Sequence, residues 1–147
     1  MVGLSEKAER GRGFLRKLDR WIGVPLLFAL SLFHKKRARP ERFQSVGICV
    51  FAAIGDALLA SSLIAGIKKA FPDVKITIFA TQANKAAFDL LEGYDDLVLV
   101  PITKPWAAIQ KVREYPVDVM IDTSQWPRIG ALVAGLSRSH WTIGFET

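Results

Sequence analysis

The chain has 147 residues, which is long enough for one folded domain with a core. Because 50% of its residues are hydrophobic and 23% are charged, disorder throughout the chain is excluded. Its net charge of +6 is unevenly distributed: residues 1–42 carry eleven Lys and Arg against four Asp and Glu, and residues 43–147 carry nine against ten. Because a nucleic-acid-binding domain usually spreads basic residues over a folded face, this confinement of charge to an N-terminal arm argues against a nucleic-acid partner.

The arm, residues 1–42, contains a segment with the composition of a membrane-surface helix. Trp21–Phe33 is thirteen residues without a charge, interrupted by Pro25 and flanked on both sides by basic residues. As a helix it would span roughly 20 Å, which is short of the ~30 Å hydrocarbon core of a bilayer. A secretory signal peptide is rejected because no small-residue cleavage site follows the apolar run. We expect residues 14–39 to associate with an anionic membrane surface; the alternative is a helix that packs on its own domain.

A strand, a turn and a helix are predicted next, and the rest of the chain is organised around them. The apolar run Ser45–Phe51 predicts a strand, in which the single cysteine, Cys49, is expected to be buried and unreactive. A helix is predicted from Ala57 to Ala70, and its buried stripe is predicted to be the leucines and isoleucine that recur every four residues, Leu59, Leu63 and Ile67.

Four more strands alternate with three more helices along residues 75–145. The predicted strands are Lys75–Ala80, Leu97–Val100, Val117–Ile121 and Trp141–Phe145. The predicted helices contain Asn84–Leu91 with Gly93 as C-cap, then Trp106, Ile109 and Val112, then Ile129, Leu132, Val133 and Leu136. This alternation predicts an α/β protein with a Rossmann-like, doubly wound parallel sheet in the strand order 3-2-1-4-5.

In that strand order the first and fourth strands are neighbours, and the sheet reverses its winding between them. Gly55 and Asp56 follow the first strand, and Asp122, Thr123 and Ser124 follow the fourth. We therefore predict that these two regions share the crevice in which such sheets bind ligands. The spacing alone leaves Asp56 open to two interpretations, a carboxylate that stabilises a helix start or a general base, and Asp122 is open to an ordinary capping role.

Several familiar sites are missing from the sequence. It contains no GxxxxGK[ST] phosphate loop, and Ala52–Asp56 lacks the three glycines of a dinucleotide-binding turn. The two histidines, His34 and His140, have no metal-ligand spacing, so no metal site is expected. A phosphoryl-receiver domain would need an Asp after the third strand, where the chain has Pro101, and a Lys after the fifth.

An ordered set of short motifs resembles the N-terminal domain of glycosyltransferase family 9, the lipopolysaccharide heptosyltransferases. The first is Ala53-Ile-Gly-Asp56, with the helix that ends Ile67-Lys-Lys-Ala-Phe-Pro72. The others are Tyr115-Pro-Val-Asp-Val-Met-Ile-Asp122 and Ile143-Gly-Phe145. The arm resembles the N-terminal extension of some members. Members often carry Lys and a hydroxyl residue where this chain has Val50 and Ala52, which leaves the acceptor open.

The resemblance implies one half of a GT-B enzyme that inverts the sugar configuration without a metal or cofactor. It assigns the catalytic base to Asp56 and implies that the acceptor binds near Gly55, Ala53, Asp122, Thr123 and Ser124. The acceptor would be a lipid-linked saccharide at the cytoplasmic face of the inner membrane. The nucleotide-sugar donor, ADP-heptose in the best-known members, would bind a C-terminal domain that this sequence lacks, so the 147-residue chain alone is expected to be inactive. The alternatives are a non-catalytic, membrane-tethered α/β binding module and a small nucleotide-binding Rossmann protein.

Overall fold

A computed structural model describes residues 42–51, 54–123 and 128–144. Residues 1–41, 52–53, 124–127 and 145–147 lie outside the described residues, so the predictions for residues 14–39, Ala53 and Ser124 fall outside them as well. No helix among the described residues is long and apolar enough to cross a membrane.

The described chain alternates strands and helices, as predicted. In order, the elements are β1 (Ser45–Val50), α1 (Ile54–Ala70), β2 (Lys75–Ala80), α2 (Lys85–Phe88), β3 (Asp96–Leu99), α3 (Pro105–Arg113), β4 (Val119–Asp122), α4 (Arg128–Gly135) and β5 (Trp141–Ile143). All strands are parallel and lie in the order β3-β2-β1-β4-β5. The predicted fold class and strand order are confirmed.

Successive side chains of each strand lie on opposite faces of the sheet and form two apolar layers. Val46, Ile48 and Val50 of β1 pack in one cluster with α1, α2 and the matching residues of β2. The intervening residues face the opposite side, where Cys49 Sγ lies 3.5 Å from Met120 Sδ and the rings of Phe79 and Tyr115 meet edge to face. Because both faces of β1 are covered, its sequence is continuously apolar rather than alternating.

The centre of β1 is a glycine because the second layer approaches the backbone closely there. A Cβ placed on Gly47 would lie 2.8 Å from Phe79 Cε2, 2.9 Å from Met120 Sδ and 3.0 Å from Val117 Cγ2. These contacts are shorter than packed carbon and sulfur atoms allow, so any larger residue would displace the layer beneath the strand.

The predicted buried stripe of α1 is wrong at one position. Leu59 is 74% exposed, whereas Ala57, Ala60 and Ile64 are buried. Because Ala57 and Ala60 are small, α1 can pack close to a sheet whose own side chains are large. With the alanines facing the sheet, Leu59 faces away from the core. Leu63 and Ile67 remain partly buried against the cluster.

Helix α2 is shorter than predicted, with four residues, Lys85–Phe88. Leu90 is exposed, and the chain turns before Gly93, which has a φ of 93°. Gly93 therefore supplies the left-handed conformation of the turn that leads into β3 instead of capping the helix directly.

Two aspartates precede β3 and β4 and join neighbouring strands at the amino edge of the sheet, opposite the strand ends that carry Asp56 and Asp122. Asp95 accepts hydrogen bonds from the Ile76 N–H at 2.7 Å and from Lys68 Nζ at 3.0 Å. Asp118 accepts from the N–H groups of Gln44 and Ser45 at 2.8 and 3.0 Å, and from Ser45 Oγ at 3.1 Å. These charge-assisted bonds satisfy donors at the start of β1 and β2.

Candidate functional site

Asp56 lies in the first turn of α1, on the chain segment that leaves the carboxyl end of β1. The helix begins three residues earlier than predicted, at Ile54. The N–H groups of a first helical turn have no intrahelical acceptor, so a glycine such as Gly55 can be accommodated there. Asp56 is half-buried, and an acidic residue in the first turn of a helix stabilises the helix through its dipole. Gly55 is exposed, and a Cβ on it would meet nothing within 4 Å, which leaves open space beside the carboxylate-bearing turn.

The end of β4 lies directly beside the end of β1. Cys49 pairs with Asp122 in the parallel register, and this is the last pair between the two strands. The predicted adjacency of the two strand ends is therefore present in the structure. It brings the Asp122–Thr123 region next to the strand from which the chain passes to Asp56.

Asp122 is nearly covered, with 7% of the residue exposed. It lies at the same register as the fully buried Cys49, and burial first, then the negative charge of Asp122, raise the pKa of the Cys49 thiol well above its usual value. Cys49 is therefore held as a neutral thiol, in agreement with the prediction of an unreactive buried residue.

Thr123 turns back toward β1. Its N–H and its Oγ1 both donate to the Cys49 carbonyl, at 3.2 and 2.9 Å. The hydroxyl predicted to contact an acceptor is thus engaged with the backbone of the neighbouring strand, and its oxygen keeps accepting capacity for a further donor.

Asn84 is a part of this region that the sequence analysis missed. It is fully buried, with 0% of the residue exposed, and its Nδ2 donates to the Val50 carbonyl at 2.8 Å. Its Oδ1 accepts from the N–H and Oγ1 of Thr81, at 2.9 and 3.1 Å. An asparagine before a short helix is typical of an N-cap, yet this side chain makes no capping bond, so the pattern gave no sign of its contact with β1.

Titratable groups are sparse around the strand ends. Within residues 42–51, 54–123 and 128–144, no three His, Cys, Asp or Glu side chains lie close enough to hold a metal ion. The described histidine, His140, lies at the amino edge, where its Nδ1 is 3.3 Å from Asp118 Oδ1. The carboxyl ends of β1 and β4 thus bring together the chain segments that carry the carboxylate of Asp56 and the hydroxyl of Thr123.

The sequence matches no family model and no curated protein. Solved structures that resemble the fold include two glycosyltransferases. A glycosyl transferase family 9 protein from Veillonella parvula DSM 2008 superposes with a TM-score of 0.60 at 16% identity, over 74% of this chain and 38% of that one. The E. coli heptosyltransferase WaaC with ADP superposes with a TM-score of 0.59 at 19% identity, over 69% of this chain and 34% of its own.

These neighbours have the fold that the sequence resemblance implied. The five-stranded parallel sheet is the Rossmann-like fold found in glycosyltransferase family 9 structures of the GT-B type. The chain spans little more than a third of the length of the solved structures that it matches.

Proposed function

We propose that residues 43–147 form the acceptor-binding half of an inverting glycosyltransferase, with Asp56 as its general base. The observation that carries the proposal is the position of Asp56, in the first turn of the helix after β1 and at the edge where β1 and β4 end side by side. Ligands of open α/β sheets bind at this edge, and the likeness of the fold to glycosyltransferase family 9 structures supports this choice of reaction.

The proposed chemistry needs one proton acceptor and one leaving group. Asp56 takes the proton of an acceptor hydroxyl as the hydroxyl oxygen attacks the anomeric carbon of the sugar donor. The bond from that carbon to the nucleotide diphosphate breaks on the opposite face, and the diphosphate leaves with the bonding pair. Attack from one face with departure from the other inverts the anomeric configuration. No metal or cofactor is assigned to this half.

We assign the acceptor to the residues around the two strand ends and the donor to another domain. A saccharide acceptor would lie over the α1 turn and the end of β4, against Ala53, Gly55, Asp122, Thr123 and Ser124. The donor, a nucleotide sugar such as ADP-heptose, would approach from a second α/β domain outside residues 1–147. Gly55 is consistent with this placement, because it is exposed and has no side chain to cover the turn beside Asp56.

Calorimetry on the 147-residue protein tests the proposal that this half does not bind the nucleotide-sugar donor. We expect titration with ADP, and with ADP-heptose, to give no binding heat at ligand concentrations up to about 1 mM, a weak-affinity limit. The reason is that Ala52–Asp56 has no glycine-rich loop to hold phosphate groups. Micromolar binding of ADP, or turnover of ADP-heptose by this chain alone, would instead favour a nucleotide-binding domain and contradict the proposed assignment.

The arm supplies the second element of the proposal, attachment to the cytoplasmic face of the inner membrane, where a lipid-linked acceptor is found. We expect the full chain to sediment with anionic vesicles and a version that starts at Glu41 to stay in the supernatant. The eleven Lys and Arg of residues 1–42 provide the attraction, which should weaken as salt is raised. Equal partitioning of the two proteins would assign the arm to packing within the protein.

A further inference from the structure

The last two carbonyl groups of β1 are held by side chains from both neighbouring strand ends. On the β4 side, the Cys49 carbonyl accepts from the N–H and Oγ1 of Thr123. On the β2 side, the Val50 carbonyl accepts from Asn84 Nδ2. Asn84 and Thr123 come from loops that follow different strands, so the end of β1 is fixed from two directions.

The orientation of the Asn84 amide is set by its partners. Two Thr81 donors, the N–H and Oγ1, converge on Oδ1, so the amide nitrogen has to be the group that faces Val50. Because the side chain is fully buried, water cannot replace it as a donor to the Val50 carbonyl without opening the structure. An apolar residue of similar size would leave that carbonyl and both Thr81 donors without this partner.

We propose that Asn84 and Thr123 are positioning residues for Asp56, and that they act by fixing the end of the strand from which the α1 turn starts. The inference rests on the proposed function, because positioning matters for catalysis only if Asp56 is the base. Asp56 lies six residues after Val50, and the buried Ala57 follows it at once, so in the sequence Asp56 stands between the fixed end of β1 and the packed body of α1. Neither residue is assigned contact with reacting atoms.

Positioning of this kind has a large kinetic effect because proton transfer depends on geometry. A base displaced by about 1 Å from its productive position can lose on the order of 100-fold in rate. Loss of the Asn84 donor should therefore disturb the first turn of α1 while leaving the far end of the helix in place. This spatial pattern distinguishes positioning from general support of the fold.

The test is an NMR comparison of Asn84→Ala with the matched variant Thr81→Val in the full chain. Thr81→Val removes the hydroxyl donor to Asn84 Oδ1 but keeps the bond from Asn84 to Val50. In Asn84→Ala we expect amide exchange of Leu58 and Leu59, which close the first turn, to accelerate about 10-fold through local opening. The 13C signal of the Asp56 carboxyl should also move. In Thr81→Val, and at the Ile64–Lys68 amides of both variants, we expect wild-type behaviour.

A second variant keeps the test decisive if Asn84→Ala does not fold. Thr123→Val removes one hydroxyl and leaves the Thr123 N–H on the Cys49 carbonyl, so the fold should persist and the Asp56 carboxyl signal should still move. An unchanged Asp56 signal and unchanged Leu58 exchange in the variants that fold would overturn the proposal. So would uniform acceleration along all of α1. These measurements need no substrate, so their outcome does not depend on the proposed function. Failure of the proposed function would appear in a different experiment, as full transfer activity in Asp56→Asn.

Discussion

Replacement of Asp56 by Asn is expected to abolish glycosyl transfer in the enzyme assembled with a donor-binding domain. Asn has nearly the same shape as Asp but cannot take a proton from the acceptor hydroxyl, so the rate should fall about 10²–10⁴-fold, the usual contribution of a general base. The measurement is release of nucleotide diphosphate at saturating donor, with circular dichroism and thermal unfolding recorded on the same preparations. The fall should appear in kcat, with the acceptor KM little changed.

The matched control is Asp73→Asn. Asp73 is exposed in the turn between α1 and β2, at the amino edge of the sheet, and its replacement should leave the transfer rate at the wild-type value. Retained activity in Asp56→Asn would remove Asp56 from the role of base. Asp56 would then serve only to stabilise the start of the helix.

Replacement of Asp118 by Ala should cause a large loss of stability. Three donors converge on this carboxylate, from Gln44 and Ser45 at the start of β1. Hydrogen bonds to charged groups are worth roughly 1.5–3 kcal/mol each, and the partial exposure of the side chain reduces their sum, so we expect a loss of about 3 kcal/mol at pH 7. Urea unfolding of the variant and the wild type measures it.

The stabilisation by Asp118 should depend on pH with a definite sign. The Gln44 N–H bond, followed by those from Ser45, holds the pKa of Asp118 below its ordinary value, although partial burial opposes them. A lowered folded-state pKa stabilises the protein above the unfolded-state pKa of about 3.9, and the contribution disappears as the pH falls through the folded-state pKa. The difference between wild type and Asp118→Ala should thus persist down to about pH 5 and shrink below about pH 4.

Asp73→Ala is the control for this series too, because an exposed turn carboxylate should change the unfolding free energy by less than about 0.5 kcal/mol. A loss of similar size in both variants would show a general charge effect. A difference between wild type and Asp118→Ala that grows as the pH falls from 5 to 3 would contradict the assignment of the stabilisation to the ionised carboxylate.

The fold could be predicted from the sequence because its strands carry an unambiguous pattern. Lys75–Ala80 is read correctly to the residue, since β-branched residues dominate it and turn residues bound it. Alternation with helices then leaves few ways to connect a parallel sheet, and the order 3-2-1-4-5 follows. The two strand ends that meet at the candidate site follow from that order.

Packing details could not be predicted, because they depend on partners distant in sequence. In the sequence, Leu59 and Leu63 have the spacing of a buried helical stripe, and so do Ala57, Ala60 and Ile64. Which of the two faces is buried depends on how the helix packs on the sheet. Asn84 contacts Val50 across 34 positions in the chain, which no local pattern encodes. Asp122 was expected at an open crevice, but whether a strand-end side chain is covered depends on the layer that packs over it.

The close packing beneath Gly47 has a consequence for how such a domain can move. At the centre of this strand there is no room even for a Cβ, which would lie within 3.0 Å of side-chain atoms of Phe79, Met120 and Val117. Bending or sliding of β1 would therefore compress a dense layer instead of filling a void. In the proposed enzyme, a donor domain would therefore be expected to close by rigid-body rotation about a hinge outside the sheet, with β1 left undeformed.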